Sequence, residues 1–242
     1  MRIHRALARA GVASRRKAEA LVAEGRVQVN GVVARTGQSV DPARDRITVD
    51  GEPLGTPPAR ATWLVLHKPA GVMTTRTDPE GRPTVFDYVD DVPGLTYVGR
   101  LDYLTEGVLL MTTDGTAAHQ LTHPSRSIER VYVATVRGHV NRAVDMARRG
   151  VPLDDGMAWP QQVSATPLGG RQWAFELTIT EGRSREVRRI CEALELTVER
   201  LVRTRFGPVS LGTLGAGEVR RMSKRETELL DAIARSPHMT QG

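Results

Sequence analysis

Apolar positions in the first fifty residues follow a helical spacing and then change to alternation. Ile3 and Leu7 fall on one face of a short helix, and Ser14 is suited to cap a second one. Residues 27–33 alternate around an Asn-Gly pair, a pattern typical of two strands joined by a tight turn. We therefore expect two helices and a small sheet to form one compact unit over residues 1–54.

The rest of the chain alternates short apolar strands with short helices. Residues 55–62 contain two prolines and read as a stiff linker, and residues 236–242 read as a disordered tail. Strands are predicted at 63–67, 95–98, 107–112, 129–137, 173–180, 197–203 and 218–221. Helices are predicted at 84–89, 115–121, 141–149, 184–194 and 223–233, the last with a capping box of Ser223 and Glu226. The pattern predicts an α+β fold, with a mixed, mostly antiparallel sheet over residues 63–235.

Composition narrows the class of protein. The chain has 242 residues, 40% of them hydrophobic, which is enough for a sizeable core. The formal net charge is +6, carried mostly by arginine, and arginine binds phosphate in a bidentate manner. Cys191 is the only cysteine, which excludes an intramolecular disulfide and a cysteine-based zinc site. Since no apolar stretch approaches the length of a membrane span, we expect a cytoplasmic protein.

One carboxylate stands in an unusual place. Asp102 follows Arg100 and precedes the apolar run Val108 to Met111, so it lies at a turn directly before a buried strand. Asp is disfavoured in strands, and a buried charge is costly unless it is paired. Such an Asp has either a local capping role or a chemical one, and the residues alone leave both open.

The amino-terminal unit resembles the S4 RNA-binding domain. Residues 10–18 (AGVASRRKA) and 25–31 (GRVQVNG) carry the motifs of that family. Three cations in the first turn of the second helix oppose the helix dipole, so they fit better as a patch for an external anion. They are Arg15, Arg16 and Lys17.

The remainder resembles the pseudouridine synthases, in the branch with an amino-terminal S4 domain. The motifs are HKPAG (67–71), GRPTV (81–85), GRLDYLTEGVLLM (99–111) and EGRSREVRRI (181–190), in the family's order. Arg130 stands where the family usually has Lys, and Glu186 stands where Gln is common. The GRPTV segment is similar to the enzymes that modify bacterial large-subunit (23S) ribosomal RNA.

This resemblance implies roles for individual residues. Asp102 is the expected catalytic carboxylate, acting either as a nucleophile or as a base on the ribose. Tyr132 is expected to pack against the target uracil, and Arg188 to pair with Asp102 and hold it ionised. The target base would be flipped out of any helix. Residues expected to bind RNA are Arg100, Arg15, Arg16, Lys17, Lys68, Arg130, Arg185 and Arg189.

Several points stay open at this stage. Arg100 could pair with Asp102, bind a phosphate or fill the gap left by the flipped base, and Tyr132 is also compatible with a half-buried structural role. Ser184 is expected to cap the helix of Arg188. Arg203 and Arg205 continue the resemblance, for packing or RNA contact.

The resemblance implies isomerisation of a uridine in 23S ribosomal RNA without a cofactor or metal, and we expect a monomer with no membrane partner. The alternatives are the same chemistry on 16S ribosomal RNA and a non-enzymatic RNA-binding protein of ribosome assembly. A metal hydrolase is a poor third, because the histidines form no ligand pair with metal spacing.

Overall fold

The structure is a computed structural model that describes residues 1–13, 15–55 and 61–235. The cap predicted at Ser14, most of the predicted linker and the predicted tail therefore lie outside the described residues. No helix in the described ranges is long and apolar enough to cross a membrane.

Two helices and a four-stranded sheet make up the amino-terminal unit. Its elements are α1 (Ile3–Arg9), α2 (Arg15–Ala23), β1 (Val27–Val29), β2 (Val32–Val33), β3 (Ile47–Val49) and β4 (Glu52–Pro53). The strand order is β2-β1-β3-β4, and the hairpin turn between β1 and β2 has Asn30 and Gly31 at positive φ. Ile3 and Leu7 are fully buried against the sheet. The predicted helix, helix and strand order is confirmed, while β4 was not predicted.

The second unit is built on one large sheet. Its strands are β5 (Trp63–Lys68), β6 (Thr96–Val98), β7 (Thr105–Thr112), β8 (Arg130–Arg137), β9 (Val151–Leu153), β10 (Gly156–Ala158), β11 (Gln162–Gly169), β12 (Gln172–Ile179), β13 (Thr197–Phe206), β14 (Val209–Ser210) and β15 (Val219–Arg221). Its α-helices are α3 (Gly115–Thr122), α4 (Val140–Arg148), α5 (Glu186–Ala193) and α6 (Lys224–Arg235). The order is β11-β12-β8-β13-β7-β5-β15, with β14 on β13 and β6 on β7, while β9 and β10 form a separate hairpin.

The predicted fold class is confirmed. Among the described strands of this sheet, β13 and β7 form the one parallel pair and all other pairs are antiparallel. The helix predicted at 84–89 is a short 3-10 helix (Val85–Tyr88), and the predicted capping box of α6 is present, with Ser223 and Glu226 bonding reciprocally.

Strand β7 lies inside this sheet, between β13 and β5, and is buried on both faces. Val108 and Leu110 pack with α3 and α6 on one face, whereas Leu109 and Met111 pack under the loops on the other face. A strand that is covered on both faces needs a continuous apolar run rather than alternation. The run of four apolar residues in the sequence is explained by this position.

Four strands of the second unit were not predicted: β9, β10, β11 and the two-residue β14. Strand β11 is an edge strand whose residues are mostly exposed, and its irregularity lies beside Pro167. An edge strand can include proline because one side of it needs no ladder hydrogen bonds. The β9–β10 hairpin is only three residues long on each side, too short for an apolar alternation to be visible.

Strands β7 and β13 approach each other closely at Gly107. A Cβ atom at Gly107 would lie 2.2 Å from the backbone oxygen of Arg203, and its φ is +110°. Gly156 has a similar φ of +112° and nothing within 4 Å of the same point. The two glycines therefore share the backbone conformation but differ in the space around them.

We expect Gly107→Ala to lower the free energy of unfolding more than Gly156→Ala. Gly156→Ala adds only backbone strain, of about 1–3 kcal/mol. Gly107→Ala adds a backbone overlap worth roughly a further 1–3 kcal/mol, because β13 must move away from β7. Urea unfolding of both variants and the wild type measures the difference. Equal losses would contradict the close approach.

Candidate active site

The loop between β6 and β7 presents Asp102 at the surface. The backbone on either side of Asp102 is fixed: the Thr74 hydroxyl donates to the Leu101 carbonyl (2.8 Å), and the Gly71 N–H donates to the Tyr103 carbonyl (2.8 Å). The side chain of Asp102 is exposed. A rigid backbone therefore carries an accessible carboxylate, the arrangement that a reacting group needs.

Lys68 lies beneath this loop and is fully buried. Its Nζ atom donates to the carbonyl oxygens of Pro69 (2.8 Å), Tyr103 (3.2 Å) and Thr105 (2.8 Å). An ammonium group has three donors, so all of them are used by the backbone. Two of the three acceptors, the carbonyls of Tyr103 and Thr105, follow Asp102 in the chain, and Lys68 therefore ties the Asp102 loop to the end of β5.

Burial sets the charge properties of Lys68. It lowers the pKa of the ammonium to about 8, while the nearby carboxylates of Asp102 and Glu106 raise the pKa and so oppose the shift. The expectation that Lys68 binds RNA needs correction, because its ammonium is buried and has no donor left for a phosphate. Its role in the structure is to hold the backbone.

Tyr132 stands on β8 at the junction of the two apolar clusters on this face of the sheet, and it is half-buried. The Nη1 atom of Arg203, from the adjacent strand β13, lies 3.5 Å from its hydroxyl. The resemblance assigned Arg203 only to packing or RNA contact. No local signal could have marked it, because Arg200, Arg203 and Arg205 share one strand and only Arg203 of these three is buried.

Arg188 reaches the same loop from α5. Its Nη2 atom donates to the carbonyl of Leu104 at 2.9 Å. Burial is the main cause that lowers the pKa of Arg188, followed by the Arg185 cation, while the Asp102 carboxylate raises it. Arg188 is thus in the electrostatic range of Asp102, but in this structure it bonds to the backbone of the Asp102 loop instead of forming the expected ion pair.

The start of α5 differs from the prediction. Ser184 does not cap this helix: Arg185 occupies the cap position in a left-handed conformation (φ 50°) and makes no side-chain cap bond. The carboxylate of Glu186, which is buried, instead accepts the N–H of Arg183 (3.1 Å). Burial raises the pKa of Glu186, as expected for a carboxyl group in an apolar setting.

Arg130 is committed to the protein backbone. Its Nη1 atom donates to three carbonyl oxygens, those of Ile128 (3.2 Å), Thr180 (2.8 Å) and Glu181 (2.8 Å). The guanidinium also lies over the ring of Phe206, and burial lowers its pKa. The prediction that Arg130 binds RNA is therefore not supported by its position, which joins the ends of β8 and β12.

Arg189 is engaged in a similar way. It donates to Asp155 (2.9 Å) and to the Ser184 carbonyl (3.0 Å), and Arg183 shares the same Asp155. These two arginines lower the pKa of Asp155 to about 2 and join the β9–β10 hairpin to α5. Arg185, by contrast, is exposed beside them.

Other predicted RNA-binding residues meet at a cleft between the two units. This cleft of about 810 Å³ is lined by Arg15 and Lys17 of α2 and by Arg100 of the Asp102 loop. Arg15 reaches the start of α3, where its Nη2 atom lies 3.9 Å from a Cβ built on Gly115. Arg16 is exposed but does not line the cleft. Cations from both units thus line one cleft, which reaches the Asp102 loop at Gly99 and Arg100 but is not lined by Asp102 itself.

Three buried polar atoms around Asp102 have no hydrogen-bond partner among the described residues. They belong to Thr105 (Oγ1), Arg188 (Nε) and Arg203 (Nη2). Unsatisfied buried groups are costly and are common where a ligand completes the set.

Cys191 under α5 is unsuited to chemistry, because burial raises the pKa of its thiol to about 12. The described part of the chain holds no cluster of three or more His, Cys, Asp or Glu side chains placed for a metal ion.

Two family models match the chain. The model described as RNA pseudouridylate synthase matches residues 62–193, and the model of the S4 domain matches residues 1–47. The first range contains Lys68, Asp102, Tyr132 and Arg188.

Relatives match over most of the chain. Ribosomal large subunit pseudouridine synthase B of Pseudomonas aeruginosa is 44% identical over 237 residues, which are 95% of this chain and 61% of that protein. The chain thus spans about three fifths of that relative. An uncharacterized RNA pseudouridine synthase of Aquifex aeolicus is 40% identical over 96% of this chain and 95% of its own length. A crystal structure of a pseudouridylate synthase superimposes with a TM-score of 0.65 and 27% identity, covering 95% of this chain and 99% of that chain.

We expect Lys68 to make stability depend on pH in a defined window. Between about pH 8 and pH 10.5 the unfolded chain holds a proton on this lysine that the folded chain releases. The difference in the free energy of unfolding between the wild type and Lys68→Met should therefore rise with pH, by about 3 kcal/mol across the window. Urea unfolding at several pH values measures it. Lys224→Met, at an exposed lysine, is the matched control and should give a flat difference; a flat difference for Lys68→Met would contradict the assignment.

Proposed function

The chain belongs to the RNA pseudouridylate synthase family with an amino-terminal S4 domain, and from this membership we propose that it converts one uridine of bacterial 23S ribosomal RNA to pseudouridine. The relative from Pseudomonas aeruginosa is named for the large ribosomal subunit, which supports this target. Ribosomal RNA is made and assembled in the bacterial cytoplasm, so the protein acts there, as a monomer.

The observation that carries the proposal is the exposed carboxylate of Asp102 on a backbone that Thr74, Gly71 and Lys68 hold in place. Conversion of uridine to pseudouridine breaks the bond from N1 of the base to C1′ of the ribose and forms a bond from C5 to C1′. The base loses its C5 proton and gains one at N1. Asp102 acts at the ribose, as a nucleophile at the sugar or as a base that removes a sugar proton.

The neighbouring side chains divide the remaining tasks. Arg188 donates to the Leu104 carbonyl and lies close enough to Asp102 for that carboxylate to raise the pKa of Arg188, so its cation is placed beside the reacting carboxylate. Tyr132 offers a half-buried aromatic ring with a hydroxyl at the edge of the site, suited to pack against the base and to handle the C5 proton. The target base reaches them by flipping out of the RNA.

Binding of the RNA is assigned to the cleft between the two units. Arg15, Lys17 and Arg100 line it, and cations along a groove bind the phosphate backbone without reading its sequence. Arg185 and Arg16 are exposed and extend the basic surface outside the cleft. Chemistry and affinity are thus carried by different residues.

We expect Asp102→Asn to abolish isomerisation and to leave RNA binding within about threefold of the wild type. The amide keeps the shape of the side chain but cannot act as a nucleophile or base, so the rate should fall at least about 10³-fold. Carbodiimide primer extension maps pseudouridine in ribosomal RNA from cells that lack the gene and carry the wild type, Asp102→Asn or the exposed control Asp145→Asn. The proposal is supported if pseudouridine at one 23S site is absent in cells that lack the gene, returns with the wild type and does not return with Asp102→Asn.

Other outcomes of that mapping contradict parts of it. An Asp102-dependent site in 16S ribosomal RNA would preserve the chemistry and overturn the target. Full activity of Asp102→Asn would overturn the catalytic assignment. Unchanged pseudouridine at every position would favour a non-enzymatic role in ribosome assembly.

We expect the double substitution of Arg15 and Arg100 by Ala to weaken RNA binding most at low salt. Loss of two phosphate contacts should reduce the slope of log affinity against log salt by about 1.5. Filter binding of a 23S fragment at several salt concentrations measures the slope. The matched control replaces Arg44 and Arg225, two exposed arginines outside the cleft. The same decrease in slope for both double variants would show that the cleft is not the phosphate-binding groove.

A further inference from the structure

Arg203 fills a gap between two strands at the centre of the sheet. Strands β7 and β13 pair in parallel only as far as Arg203 and Gly107, after which they separate. The next carbonyl along β7, that of Val108, accepts a hydrogen bond from the Nε atom of Arg203 at 2.8 Å. The side chain therefore replaces a ladder hydrogen bond that the diverging backbone cannot make.

The same guanidinium also reaches Tyr132. Arg203 and Tyr132 are directly opposite each other in the β13–β8 ladder, so their side chains emerge on the same face of the sheet. The distance from Nη1 of Arg203 to the Tyr132 hydroxyl is 3.5 Å. Arg203 is only 2% exposed, so no solvent competes with this contact.

Chemistry fixes the direction of this contact. A guanidinium has donors but no acceptor, so the hydroxyl oxygen of Tyr132 must accept. The proton of the Tyr132 hydroxyl is then free to point away from Arg203. A neutral neighbour that could accept as well as donate would leave the hydroxyl without a preferred direction.

A role in packing alone does not account for the whole side chain. Bridging to Val108 requires one N–H group, whereas Nη2 of Arg203 is buried with no partner among the described residues. Leaving a donor of a buried cation unused costs stability. Arg130 also interacts electrostatically with Tyr132, but its Nη1 atom is bound to three carbonyl oxygens, so Arg203 is the better placed of the two cations to orient the Tyr132 hydroxyl.

We propose that Arg203 is a positioning residue for Tyr132: it fixes the hydroxyl as an acceptor from the guanidinium and directs the hydroxyl proton into the site beside Asp102. This inference rests on the proposed function, in which Tyr132 handles the C5 proton of the target base. Gly107 contributes to this arrangement. It is the ladder partner of Arg203, and only a residue without a Cβ atom lets β13 approach β7 so closely at that pair.

The contact itself can be tested without reference to activity. The chain is labelled with 3-fluorotyrosine, and Tyr132→Phe identifies the Tyr132 signal in the ¹⁹F spectrum. In Arg203→Met the Tyr132 signal should shift, because the cation beside the hydroxyl is lost. Arg200→Met removes an arginine from the same strand that pairs with Glu106 on the surface, and it should leave that signal in place. A Tyr132 signal that stays unmoved in Arg203→Met overturns the contact, whatever reaction the protein catalyses.

The functional coupling is tested by a double-mutant cycle. Single-turnover rates at saturating 23S RNA are compared for the wild type, Arg203→Met, Tyr132→Phe and the double variant. We expect Arg203→Met to lower the rate roughly ten- to a hundredfold in the wild type and less than about threefold in Tyr132→Phe, because the hydroxyl that it positions is already absent. RNA affinity should stay within about twofold. Equal effects in both backgrounds would show that Arg203 acts only through the sheet.

If Arg203→Met does not fold, Arg203→Lys takes its place in the test. Lysine retains the charge and can still bond to Val108, but a single ammonium lacks the fork needed to reach Tyr132 as well. We expect Arg203→Lys to melt near the wild-type temperature. Its Tyr132 signal should still be shifted from the wild-type position and its turnover should still be slower than that of the wild type, as in Arg203→Met. Wild-type turnover in Arg203→Lys would overturn the requirement for the fork. If wild-type protein made no pseudouridine, the proposed function would fail, while the ¹⁹F result would still decide the Arg203–Tyr132 contact.

Discussion

One buried ammonium group holds the candidate active site together. Lys68 ends β5, and its three donors are distributed over the carbonyls of Pro69, Tyr103 and Thr105. The last two follow Asp102 in the same loop, so the path of the backbone that carries the carboxylate depends on a charge from another strand. Burying that charge is unfavourable by itself, as the lowered pKa of Lys68 indicates, and the hydrogen bonds offset the cost. A neutral side chain could not satisfy three carbonyl oxygens from one point, which explains why a lysine occupies a position with no access to solvent.

The sequence was sufficient to predict elements whose burial produces a local pattern. The continuous apolar run of β7 indicates a strand covered on both faces, and Asn30 with Gly31 identifies a hairpin turn. The motif around Asp102 was also sufficient to place that residue on a turn before the strand. What could not be predicted is the direction of Lys68. Its partners are 35 and 37 residues away, and a lysine beside a proline has the same local pattern whether it is buried or exposed.

The helix α5 shows the same limit from another side. Residues 183–189, at its start, contain four arginines, which is typical of a solvated basic face. Ser184 is of a residue type that commonly caps helices. In the structure, long-range partners decide each of these positions: Arg183 and Arg189 converge on Asp155 of a hairpin that the pattern did not reveal, and Glu186 takes over the capping of the loop. Without knowledge of that hairpin, Arg189 was predicted to bind RNA together with Arg185, although of these two only Arg185 is exposed.

The arginines around the candidate site therefore include two sets that respond to different conditions. Arg203 is buried and Arg130 is half-buried, and both are bonded to backbone carbonyls, so added salt screens them less than exposed cations. Arg15 and Arg100 face an open cleft, where ions of the solvent compete directly for phosphate. Salt should thus act on the encounter with RNA while the geometry around Asp102 and Tyr132 stays unchanged. The net charge of +6 does not distinguish these two sets. The role of each of these cations depends on whether a carbonyl oxygen of the protein or an external phosphate lies within its reach.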